Sequence, residues 1–119
     1  MARIIIAGNW KMNKSRADVA EFFSNIREEF WHKPPSKSLF EVIVAPSYLN
    51  LETALKYAKE KCVTISAQNC HFENSGAYTG EVSLPMLSEI GIETVIVGHS
   101  ERRQFFGETD DSVDRKSVV

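Results

Sequence analysis

The chain has 119 residues, a net charge of -2, 25% charged and 43% hydrophobic residues, enough for one globular domain with a core or for half of something larger. That charge balance argues against a nucleic-acid surface, and no apolar run is long enough to span a membrane. Met1-Ala2-Arg3 leads straight into a predicted strand, so no signal peptide is expected, and Cys62 and Cys70 read as reduced core thiols of a cytosolic protein.

Arg3–Ala7 is β-branched and bounded by Gly8, which predicts a fully buried strand. Ser15 opens a helix with Asp18 as its capping-box partner, and Val19, Phe22, Phe23, Ile26 and Phe30 form its apolar stripe. Lys33-Pro34-Pro35-Ser36-Lys37-Ser38 breaks that helix. A second strand, Glu41–Ala45, stops at Pro46, and Leu51, Ala54, Leu55 and Ala58 mark the next helix. Val63–Ala67 is a third strand, followed by a long polar loop from Gln68 to Glu81, of a length usually reserved for function or interaction. Pro85 starts a short helix with Met86, Leu87 and Ile90 as its inner face, ended by Gly91. Thr94–Val97 is the fourth strand, Ser100-Glu101-Arg102-Arg103 starts a helical turn, and a last helix begins near Thr109-Asp110.

No two strands are joined by a two-residue hairpin, so the expected α/β sheet is parallel with right-handed crossovers. Two architectures fit: a doubly wound open sheet, or part of a (β/α)₈ barrel. In both, ligands gather at the carboxyl ends of the strands. Asn9 and Lys11 follow the first strand, and alternation would send them to one side with Trp10 on the other. A loop lysine is ordinarily a solvated charge and an asparagine after glycine a turn residue; position is what speaks for function here. No GxGxxG follows this strand, which weakens a dinucleotide-binding reading.

His99 holds the matching place after the fourth strand, where the free N–H groups of a helical turn would favour a neutral ring. Glu101 is the nearby carboxylate; Arg102, Arg103 and Lys11 would lower its pKa, which suits a structural ion pair better than a general base. His32 and His71 read as surface or loop residues. No His, Cys, Asp or Glu pair has metal-ligand spacing, so no metal is expected.

Together, AGNWKMN after the first strand, AQNCHFENSGAYTGEVS after the third and VIVGHSERRQFFGE after the fourth resemble triosephosphate isomerase. The resemblance runs from the first strand to about residue 116. It implies a (β/α)₈ TIM barrel, of which residues 1–119 would be the N-terminal portion of one domain, the first four β/α units, in a cytosolic homodimer without cofactor. The implied reaction interconverts dihydroxyacetone phosphate and glyceraldehyde 3-phosphate through an enediolate, in glycolysis and gluconeogenesis.

By the same resemblance Asn9 and Lys11 would touch the phosphorylated triose, with Lys11 facing developing oxyanion charge. His99 would polarise the carbonyl, and Thr79 would sit at the tip of a dimer loop that buttresses the partner's Asn9 and Lys11. The family's base is a glutamate on a later strand beneath a lid, and its phosphate loops come later still. Neither lies within residues 1–119, so the chain alone is expected to be inactive, since a general base contributes roughly 10²–10⁴-fold. Two other readings remain: a half-barrel that survives as a self-association module through its exposed strand edges, and a doubly wound nucleotide-binding domain.

Overall fold

The β-branched run Ile4–Asn9 forms β1, and Ser15 then caps the helix that follows. Its hydroxyl accepts the Asp18 N–H at 3.2 Å while the Asp18 carboxylate accepts the Ser15 N–H at 2.8 Å, a complete capping box for α1, Arg16–Ser24. Both bonds favour the ionised Asp18 carboxyl, whose pKa lies below the ordinary value. The computed structural model describes residues 3–26, 40–59 and 61–117, so Phe30, His32 and the Lys33–Ser38 loop fall outside the described residues.

β2 (Phe40–Ala45) stops at Pro46, and a 3₁₀ turn over Tyr48–Asn50 feeds α2, Leu51–Ala58. β3 covers Val63–Ala67. After the long loop, Ser83 caps α3 (Leu84–Glu89), with Pro85 in the first turn, where its missing N–H costs nothing. β4 is short, Thr94–Val95, although the Ile96 N–H still donates to the Ala67 carbonyl at 2.9 Å. α4 (Ser100–Phe105) and α5 (Asp110–Ser117) complete the order.

All three strand pairings are parallel, and the sheet order is β1-β2-β3-β4. That order decides between the two expected architectures. A doubly wound sheet reverses its strand order at a switch point, whereas a barrel adds each strand beside the last. With no reversal, the sheet is a curled half-barrel, and the doubly wound reading falls.

The core lies between the sheet and its helices: Val19 and Phe23 of α1, Val44 of β2, Leu51, Ala54 and Ala58 of α2, Ile65 and Ala67 of β3, with Cys70, Leu87 and Ile92. Several expectations are corrected by it. β1 is not fully buried: Ile4, Ile5 and Ile6 are 56%, 55% and 52% exposed, because β1 lies at the edge of the sheet and among the described residues pairs with β2 alone. Met86 turns outward and leaves Leu87 to pack. Both cysteines are free, yet only Cys70 is a core thiol; Cys62 is exposed in the turn before β3.

Phe23 has no solvent contact to lose, whereas Leu49 is 88% exposed. Phe23→Ala should therefore lower unfolding stability by about 3 kcal/mol or more. Leu49→Ala should stay within about 0.5 kcal/mol. Urea unfolding followed by circular dichroism measures both.

Candidate active site

β1 ends at Asn9, and the chain does not continue its alternation. Lys11 adopts a left-handed backbone, φ 56°, in the turn that follows. Its N–H donates to Asn9 Oδ1 at 2.9 Å. Trp10 instead joins the core side: its N–H donates to the Ala45 carbonyl at 3.0 Å and its indole meets Phe22 edge-on at 4.9 Å. Lys11 thus faces the cleft by a reversal of the backbone, a route the strand periodicity does not describe.

His99 reaches the same place from β4. Gly98 makes the bend with φ 68°, a conformation that favours glycine, and a side chain there would crowd Val113 at 3.0 Å. His99 is the N-cap of α4, and its Nδ1 accepts the Glu101 N–H at 3.0 Å. A ring nitrogen that accepts a hydrogen bond carries no proton, so the ring presents Nε2–H outward. The Glu101 carboxylate also lies 3.8 Å from Nδ1, but the shorter backbone bond fixes the tautomer.

The Lys11 ammonium sits 2.6 Å from Glu101 Oε1. The Lys11 hydrogen bond is the main reason that Glu101 ionises below the ordinary carboxylate value, outweighing the opposing effect of burial. The two arginines expected to share this work point elsewhere: Arg102 Nε pairs with Glu108 at 2.5 Å and Arg103 with Asp110 at 2.6 Å.

Asn9, Lys11, His99 and Glu101 line one cleft of about 250 Å³ at the carboxyl ends of the strands, along with Tyr48, Gln68, Asn69 and Arg102. Thr79 is not among them; it stands exposed on its loop, in a turn closed by the Glu81 N–H on the Tyr78 carbonyl at 3.0 Å. His71 lies on that loop too, but its ring is covered, stacked on Phe72 at 4.3 Å and tilted against Tyr78 at 4.4 Å. A larger cavity of about 620 Å³ opens at the amino ends of the strands. Of its charged residues Arg3, Glu41 and Lys59, the first two already pair with each other at 3.0 Å, so its size alone does not nominate it. Among the described residues no three His, Cys, Asp or Glu side chains gather to hold a metal ion, and no helix is long and apolar enough to cross a membrane.

Beneath the cleft is a charged network that the sequence did not single out. Lys116 Nζ lies 2.6 Å from Glu108 Oε1 and 2.8 Å from Asn69 Oδ1, and Glu108 Oε2 holds Arg102. The Lys116 and Glu108 side chains are each only 5% exposed. Tyr48 joins by donating to the Asn69 carbonyl at 2.8 Å; burial pushes its phenol up to about 12, so it remains a donor. The available signal was position, since Asn69 follows β3 as Asn9 closes β1.

The family model described as triosephosphate isomerase matches residues 4–118. The chain belongs to the triosephosphate isomerase family. The match extends through Lys116 and Ser117, past the point where the sequence resemblance weakens. Triosephosphate isomerase of Clostridium botulinum (strain Loch Maree / Type A3) is 47% identical over 117 residues, covering 98% of this chain and 45% of that protein. The triosephosphate isomerases of Streptococcus equi subsp. zooepidemicus and Aquifex aeolicus are 46% and 45% identical, with 95% and 98% of this chain covered, against 43% and 46% of theirs. The chain spans about half the length of the curated relatives it matches.

Burial alone would raise the Glu108 carboxyl, but hydrogen bonds from Lys116 and Arg102 outweigh it and the net shift is downward. A lowered folded-state pKa adds stability above the unfolded value near 4.5 that is lost as pH falls through the folded value. Glu108→Gln should therefore cost about 3 kcal/mol at pH 7, where it strands two partly buried cations. The gap from the parent chain should narrow below pH 4.5, as urea unfolding at a series of pH values will show.

Proposed function

We propose that this chain supplies the substrate-holding and carbonyl-polarising part of a triosephosphate isomerase active site. The observation that carries the reading is the convergence of Asn9, Lys11, His99 and Glu101 on one cleft at the strand ends. The Lys11 ammonium, steadied by Glu101, would neutralise the phosphate and the oxyanion that develops on the triose. His99, with Nδ1 engaged by the Glu101 N–H, would donate Nε2–H to the substrate carbonyl as a neutral electrophile. Asn9 orients both Lys11 and substrate. The proton-abstracting glutamate implied by the sequence resemblance lies outside residues 1–119, which we read as the N-terminal portion of one barrel. The reaction would run without cofactor, in the cytoplasm, in glycolysis and gluconeogenesis, with isomerisation by this chain alone lowered by roughly 10²–10⁴-fold or more.

Titration of dihydroxyacetone phosphate into isotope-labelled chain tests this. Lys11 and His99 resonances should move with the phosphate ester but not with dihydroxyacetone, and the His99 resonance should stay unmoved in Lys11→Met. Unmoved resonances overturn the reading.

A homodimer through the cleft face fits the exposed apolar residues beside it. Met12 is 94% and Phe106 68% exposed, and both line the cleft. Exposed Thr79 would then engage the partner. A second reading, self-association through the β1 edge as a non-catalytic half-barrel, draws on exposed Ile4, Ile5 and Ile6. Light scattering separates them: Met12→Glu should disperse a cleft-face dimer, and Ile5→Glu an edge-paired one.

A further inference from the structure

The Lys11 backbone stands in a left-handed conformation that a lysine seldom adopts, so something must hold it there. Its N–H is held by Asn9 Oδ1 and its ammonium by Glu101. Its carbonyl is held from a different strand. Gln68, the first residue after β3, gives its side-chain amide to the Lys11 carbonyl at 2.8 Å and to the Ala45 carbonyl at the end of β2, also at 2.8 Å. A primary amide has two N–H groups, and both are used. The Ala45 carbonyl also accepts the Trp10 N–H, so the amide ties the ends of β1, β2 and β3 at one point.

We propose that Gln68 is a positioning residue for Lys11, a strap that holds the strained turn so that the ammonium meets Glu101 within the cleft. No other side chain bonds the Lys11 carbonyl among the described residues. Glutamine suits the place because its amide offers two donors where a carboxylate would repel both carbonyls. The inference rests on reading the cleft as the triose phosphate site, but its geometry can be tested apart from that reading.

In isotope-labelled chain, the Glu101 carboxyl is followed through an acid titration while the Lys11 Cα and Cβ shifts report the backbone. Gln68→Met keeps the volume and removes both donors. The expected result is a Glu101 midpoint that rises toward the ordinary 4.5 and Lys11 shifts that lose their left-handed signature, with circular dichroism unchanged. An unchanged Glu101 midpoint and unchanged Lys11 shifts overturn the proposal. The unmutated chain gives a second measurement that does not depend on the variant folding. The two Gln68 amide protons should exchange more slowly than those of a free glutamine, and exchange at the free rate overturns the strap. Dihydroxyacetone phosphate that leaves Lys11 unmoved in the parent chain counts against the functional reading alone, because the Gln68-dependent midpoint is read without ligand.

Discussion

The left-handed turn at Lys11 is the constraint on which the site depends. A non-glycine residue at φ 56° costs on the order of 1–2 kcal/mol. Hydrogen bonds of about 0.5–1.5 kcal/mol each are of the right size to offset that cost. The turn has bonds on its N–H, its carbonyl and its side chain, from β1, the end of β3 and α4 respectively. Three separate elements must therefore be in place before the lysine is. The site is a product of the sheet's assembly, and no local sequence signal could make it alone.

The buried network below it extends the same logic to α4. Two cations share one carboxylate at a depth where an unpaired charge would be costly, so Glu108, Lys116 and Arg102 persist only together. Because Arg102 belongs to α4, the network fixes the helix that carries Glu101 and is capped by His99. Asn69 couples it to the end of β3, one residue beyond Gln68. Alignment of His99 with Lys11 thus draws on this network as well as on the Glu101 bonds that both residues make.

What the sequence revealed was local or periodic. The capping box at Ser15, the stripe of α1, Pro85 in the first turn of α3 and all four strands follow from propensity and spacing within a few residues. The cleft at the strand ends followed from parallel order. What stayed hidden was tertiary. Lys116 sits in a polar helix and reads as a solvated charge, yet its partners lie 8 and 47 positions away. Gln68 looked like the first residue of a polar loop because its acceptors are backbone carbonyls, which leave no mark in a sequence. Arg102 and Arg103 adjoin Glu101 in the chain, but successive helical residues do not face one another, so their charges went to Glu108 and Asp110.

The same distinction explains the exposed isoleucines of β1. A β-branched run bounded by glycine predicts an extended strand, and the strand forms; burial is a second property that depends on what lies on either side. Alternate residues point to opposite faces, so similar exposure at Ile4, Ile5 and Ile6 means that both faces of β1 remain open. At the far end of the same strand the situation reverses. Trp10 is fixed on Phe22, and Asn9 and Lys11 are tied to two other elements. Side-chain contacts of β1 therefore gather at its carboxyl end, where Trp10 packs on the core side and Asn9 and Lys11 belong to the candidate site.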